Sequence, residues 1–298
     1  MTAIAAARRA WDERLFYLFA LPFAALVIVF GLWPIVQSIR VAFLDSYTAL
    51  SADPRFVGLD NFRTIFADAY FHSSLRITLA FTVVSVVANV LVALGLALAI
   101  NSPLVRRGST LFKLCIFLPV ITPDVAAFIV WKAMYDQDFG AINAALGAVG
   151  LPPLAFLARA DSAFWAVAAA ELWKHVGFYT IIFLTNLALI DPELDRAAML
   201  DGASWRQRLL HVTLPQLRPA ITINAVYALI QFLKTFTVAV VMTRGGPAFA
   251  TNFVSYYAYR RFDEALYGEA TAMATTLFVL VGILGYALYW GAERKDWR

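Results

Sequence analysis

Six long apolar runs dominate this chain, and no water-soluble fold can absorb all of them. A bilayer core is crossed by roughly 20 apolar residues in helical form. Residues 15–37 reach that length without a charge, and residues 77–100 do so again. Residues 111–131 are apolar but hold Pro119, Pro123 and Asp124, so a kinked span is expected there. Residues 163–190 are long and carry Glu171, Lys174 and His175. Residues 220–243 are apolar except for Lys234, and 272–292 complete the set. Each run must be helical, because lipid offers the backbone no hydrogen-bond partner. The composition agrees: 61% of the 298 residues are hydrophobic and 15% charged, against about 25% charged in a soluble domain. The expected fold is an all-α membrane protein of six transmembrane helices. Residues 15–37 lack a small-x-small cleavage site at the right place and read as a retained helix rather than a signal peptide.

Basic residues in short loops set the orientation. Six spans place both termini on one side. That side holds Arg8, Arg9, Arg14, Arg106, Arg107, Lys113, Arg196, Arg206, Arg208, Arg218, Arg294, Lys295 and Arg298. The other holds mainly Arg40, Arg55, Arg63, Arg159, Arg244, Arg260 and Arg261. Both termini are therefore expected in the cytoplasm of a multi-pass protein in lipid. The net charge of +4 is small and is read loop by loop, not as a sign of nucleic-acid binding. The single cysteine, Cys115, lies in an apolar run and reads as a small packed residue.

The loop between the fourth and fifth runs, 191–219, is not a slack connection. Asp191 followed by Pro192 is a helix start, with a side-chain cap and then proline at the first helical position. Leu194, Ala197, Ala198, Met199 and Leu200 recur at helical spacing, and Gly202 ends the helix. Ser204 with Gln207 is a capping-box pattern that opens a second short helix, which Pro215 and Pro219 are expected to end. A linker needs only a few residues, so an ordered helix–turn–helix suggests a docking element. An interfacial helix lying on the membrane is the alternative.

This loop resembles the cytoplasmic signature of binding-protein-dependent ATP-binding-cassette (ABC) import permeases, in which Glu-Ala-Ala is followed by Asp-Gly-Ala and later Leu-Pro. Ala197, Ala198, Asp201, Gly202, Ala203, Leu214 and Pro215 match, while Arg196 stands at the glutamate position and reverses its charge. Phe117-Leu-Pro, Pro123, Trp131, Gly140-Ala-Ile-Asn143, Trp173-Lys174, Gly177-Phe178 and Met242-Thr-Arg-Gly-Gly-Pro247 occur in the order found in carbohydrate-type permeases, those of maltose and glycerol phosphate in particular. The resemblance runs from about residue 15 to the end and implies one transmembrane domain over 1–298, with a core of about 72–292. It further implies a bacterial inner-membrane permease whose loop, through Arg196, Ala197, Ala198, Asp201, Gly202 and Ala203, couples to ABC ATPase subunits. A second permease, most often a different chain, and an extracytoplasmic binding protein are the other implied partners. It also implies that Trp173, Lys174, Gly177, Tyr179, Thr180, Gln231, Lys234 and Thr235 lie along the transport path.

The chain has no Gly-x-x-x-x-Gly-Lys-Ser/Thr phosphate loop, so ATP and Mg²⁺ belong in the partner ATPase and this chain is expected to need no cofactor, metal or catalytic residue of its own. Charges within a span are costly and point to function. Lys174 and Lys234 lie at similar depths, about 11 and nine residues from the outer ends of their runs, or roughly 17 and 14 Å of helix. A shared role toward an anionic sugar derivative is one reading. Pairing of Lys174 with Glu171, or of either lysine with Asp124, is the other. A secondary transporter of small polar solutes remains the alternative function, although the internal repeats such proteins carry are not evident.

Overall fold

The computed structural model describes residues 17–102, 105 and 108–293. Arg8, Arg9, Arg14, Arg106, Arg107, Arg294, Lys295 and Arg298, on which much of the expected orientation rests, lie outside the described residues, as does the start of the first run. The described chain is helical, with an isolated bridge between Leu44 and Phe56 as its only extended pairing.

Four described helices are long and apolar enough to cross a bilayer. They are α1 (Tyr17–Val41, with a π-helical stretch Val27–Leu32), α3 (Ala69–Asn101), α7 (Ala160–Leu189) and α12 (Tyr267–Glu293). The third run is bent by 100° between α4 (Ser109–Ile121) and α5 (Asp124–Met134). Pro123 explains the bend: it has no N–H and forces Thr122 into extended backbone, at ψ 134°. The fifth run is also interrupted. Helix α10 (Arg218–Leu233) stops at Lys234, and a π-helical stretch at Ala239–Thr243 follows. The shorter helices are α2 (Asp60–Ala67), α6 (Ala141–Ala148), α8 (Pro192–Leu200), α9 (Trp205–Arg208) and α11 (Val254–Asp263).

The chain forms two compact units. The first joins the described part of 1–67 to Arg260–Thr275. Asn61 is its fastener: the amide donates to the carbonyls of Ala42 (2.9 Å) and Leu44 (2.7 Å) and accepts from Ser46 Oγ (3.1 Å). Ser46 in turn accepts from the backbone N–H groups of Tyr267 and Glu269, both at 3.1 Å. Gly268 fits because any Cβ there would sit 2.5 Å from Asn61 Nδ2.

The second unit, Asp68–Tyr259 with 276–298, holds the candidate site. Its centre is α3 packed against α7 and α10. Ser74, Thr78, Thr82, Ser85, Asn89, Ala93 and Ala97 form one buried stripe down α3. Three of its polar members suit an apolar setting because they hydrogen-bond their own helix. Thr78, Thr82 and Asn89 donate to carbonyls four residues back, at 2.7–2.9 Å. Phe81 anchors the packing, with ring centroids 4.7 Å from Phe253, 5.5 Å from Phe164 and 6.4 Å from Phe232. At the opposite side of α7, Gly177 lets the backbone of α4 come close: a Cβ there would lie 2.1 Å from the carbonyl oxygen of Ile116.

Candidate functional site

Two places gather the residues singled out in the sequence: the hairpin α8–α9 and a polar centre around Lys174.

The hairpin is built from caps. Asp191 accepts from the N–H of Glu193 at 2.9 Å, and Pro192 occupies the first turn of α8. At the other end Gly202 takes φ +79°, where a residue with Cβ is strained. Its N–H donates to Met199 O (3.1 Å), and that of Ala203 donates to Ala198 O (3.0 Å), which closes the helix with a Schellman turn. Ser204 and Gln207 form a reciprocal capping box at the start of α9. Arg196 pairs with Glu193 one turn earlier on the exposed surface. Arg208, only 19% exposed, donates to Asp195 Oδ2 at 2.7 Å and ties the two helices together. Pro215 does not end the second helix. A π turn over Leu209–Thr213 carries the chain past it, and the break falls at Leu217, just before Pro219. Among its exposed charged side chains the hairpin also presents large apolar ones: Leu200 is 89% exposed, and Met199, Trp205 and Leu194 are exposed as well. Ala197, Asp201 and Gly202 lie on the surface, with Ala198 and Ala203 partly covered.

The polar centre begins at the bend. The break after α4 frees the carbonyl of Val120 from any helical partner. Lys174, 3% exposed, fills that vacancy: Nζ donates to Val120 O at 3.2 Å and pairs with Asp124 Oδ1 at 3.0 Å. Asp124 sits in the first turn of α5, where the helix dipole favours a negative charge. Glu171 does not pair with Lys174; its carboxylate meets His175 Nδ1 at 2.9 Å. Trp173 is 40% exposed and stands edge-on to Trp131 at 5.6 Å. Tyr179 is buried against Phe178 and Tyr227, and its backbone carbonyl accepts from Asn224 at 3.4 Å. Thr180 is buried with its hydroxyl on Val176 O at 2.7 Å. Gly177 is the helix contact described above, so its position is accounted for by packing.

Gln231, Lys234 and Thr235 cluster at the interruption after α10. Lys234 is exposed, Gln231 half-buried and Thr235 buried, with its carbonyl accepting from Ser255 Oγ. Lys132 of α5 reaches the carbonyl of Val241 in the π stretch at 3.3 Å. Non-helical backbone at membrane depth occurs only where protein buries it or where it lines a watery cavity. Two interrupted segments, each carrying a lysine, thus place free backbone carbonyls within the apolar bundle. The Asp195–Arg208 tie and the Glu171–His175 pair were not anticipated; only the four-residue spacing of the latter was visible in the sequence.

Asn143 locks the loop after α5. It donates to the carbonyls of Asp136 (3.1 Å) and Leu154 (3.0 Å) and accepts from Leu154 N–H (2.8 Å). Backbone N–H groups of Phe139 and Asp138 hold the Asp136 carboxyl below the usual carboxylate range.

The family described as binding-protein-dependent transport system inner membrane component matches residues 89–295. The trehalose/maltose transport system permease protein MalF of Thermococcus litoralis is 32% identical over 270 residues, covering 91% of this chain and 90% of the relative. The sn-glycerol-3-phosphate transport system permease protein UgpA of Yersinia pestis is 32% identical over 286 residues, with 94% of each chain covered. A bacterial ABC transporter involved in import of the acidic polysaccharide alginate has a chain of the same fold, at a TM-score of 0.82 and 22% identity, covering 96% of this chain and 99% of that one.

Proposed function

The chain belongs to the family of binding-protein-dependent transport system inner membrane components, and on that premise we propose that it is the permease subunit of an ABC importer for a sugar or sugar derivative. Relatives named for trehalose/maltose, multiple sugars and sn-glycerol-3-phosphate support that substrate class. Six spans cross the cytoplasmic membrane with both termini inside. The bent pair α4–α5 is the third, and α10 with the helical stretch after it is the fifth. The hairpin α8–α9, within 191–219, docks on an ATPase subunit, which binds ATP and Mg²⁺. A second permease completes the path, and an extracytoplasmic binding protein delivers the ligand. A solved relative in complex with an alginate pentasaccharide-bound periplasmic protein is consistent with that arrangement.

The observation that carries this reading is the hairpin itself. Both of its helices are capped by side chains, the turn between them is closed by Gly202, and yet Leu200, Met199 and Trp205 face outward. A rigid element with an exposed apolar surface is suited to docking. In the cycle, closure of the ATPases brings the two hairpins together and opens the path outward, and hydrolysis returns it inward. Trp173, Lys174, Tyr179, Thr180, Gln231, Lys234 and Thr235 are proposed to line or support that path. The test replaces exposed Ala197 and its neighbour Ala198 with leucine in the assembled complex. Stimulation of ATP hydrolysis by loaded binding protein should disappear while the chain still inserts. Undiminished stimulation overturns the docking role.

A further inference from the structure

We propose that a cavity at the start of α7 is a phospholipid site, taking an acyl chain in its interior and a zwitterionic headgroup on the Arg159–Asp161 pair at its rim. The inference needs α7 to cross a bilayer, but it does not depend on the substrate or on the ATP-driven cycle.

The cavity has a volume of about 570 Å³, within the range of roughly 300–1,000 Å³ typical of small-ligand sites. One wall is a helical stripe of α7: Ser162, Trp165, Ala166 and Ala169. The two alanines leave the space that a larger apolar residue would fill. The facing wall is Phe156, whose ring lies 4.8 Å from that of Tyr135. This wall is held in place by its own bonds. Ser162 Oγ donates to the carbonyls of Ala155 (2.8 Å) and Phe156 (2.9 Å), and Tyr135 OH donates to Ala166 O (3.0 Å).

Those same bonds narrow the ligand class. The Tyr135 and Ser162 hydroxyls are already engaged, which leaves Gln137 as the amide among the lining residues, so a sugar entering loses more hydrogen bonds to water than this wall replaces. An acyl chain has no such requirement. At the rim, Trp165 is 60% exposed in the second turn of α7. Amphipathic aromatics concentrate at the depth where acyl chains meet headgroups. Beside it, Arg159 Nε and Nη2 donate to the two Asp161 oxygens at 3.1 and 2.8 Å, and both side chains are exposed. The pair offers one charge of each sign. The remaining guanidinium N–H groups face a phosphate, and the carboxylate faces an ammonium.

The experiment uses the purified complex, stripped of lipid in detergent and titrated with phosphatidylethanolamine, with bound lipid counted by native mass spectrometry. Arg159→Gln removes the phosphate donor from an exposed position, and Ala169→Leu, exposed on the α7 wall, narrows the space for the chain. Each should weaken retention about tenfold or more, as expected for loss of a charge-assisted bond or of the chain's space. Thermal unfolding of each variant without lipid should match the parent. Retention equal to the parent in Arg159→Gln overturns the headgroup assignment and with it the site. Displacement of the lipid by maltose overturns the ligand class.

Discussion

Lys174 is neutralised inside the protein, and that changes what its neighbours can do. Its partners Val120 and Asp124 come from the two sides of a proline bend. Removing one member leaves a buried cation with a single carbonyl. Asp124→Asn should lower the unfolding free energy in detergent by about 1–2 kcal/mol, less than for a fully buried pair because Asp124 is 45% exposed. Adding Lys174→Met should recover most of it, and a double-mutant cycle from unfolding midpoints checks both. Lys234 differs, being exposed at the interruption after α10. An unpaired charge at membrane depth costs at least about 2.5 kcal/mol on insertion scales, so it needs water or an anion. Lys234→Gln should reduce uptake of an anionic sugar derivative more than that of its neutral analogue. Equal effects on the two would leave Lys234 a structural residue. That both lysines fall within apolar runs was legible in the sequence. Their different surroundings were not, because the contacts of Lys174 span some fifty residues of sequence and no local pattern encodes them.

The hairpin shows what local chemistry can specify. Asp191, Pro192, Gly202, Ser204 and Gln207 act within three residues of themselves, so each could be read directly from the sequence. The Asp195–Arg208 tie joins two helices and could not. Gly202→Pro should abolish coupling: proline cannot take φ +79°, and the substitution removes the N–H that closes α8. Gly202→Ala should cost only about 1 kcal/mol, since its Cβ would meet open space and only the backbone is strained. Binding-protein-stimulated ATP hydrolysis separates the two variants. For the tie, Asp195→Arg and Arg208→Asp should each weaken stimulation several-fold, and the double exchange should restore it; failure of the exchange to rescue would show that the pair does not set the helix angle. The two interrupted runs make the same contrast. Pro123 announced the bend after α4. No proline or glycine marks Lys234-Thr235-Phe236, so residues 220–243 read as one helix.

At the scale of the molecule, apolar run length was the strongest signal, and it located the four long helices to within about eight residues at each end. Capping explains the largest discrepancy: Asp68 accepts from Tyr70 N–H at 2.8 Å and starts α3 at Ala69, ahead of the apolar run. The division into two units was not legible, because Ser46 accepts from the backbone of Tyr267 and Glu269 some two hundred residues away. Reporter fusions at the two ends should both report a cytoplasmic location, and opposite locations would remove the six-span topology. The purified chain alone should neither bind nor hydrolyse ATP, as the absent phosphate loop requires. The central claim is that partner ATPases drive transport through this chain by way of its hairpin. Uptake of radiolabelled ligand into proteoliposomes holding the complete complex, with binding protein outside and ATP inside, tests it most directly. Uptake should require ATP and binding protein together and should vanish with Gly202→Pro in a complex that still assembles. Uptake driven by an ion gradient without ATP, or undiminished in the Gly202→Pro complex, would contradict the account.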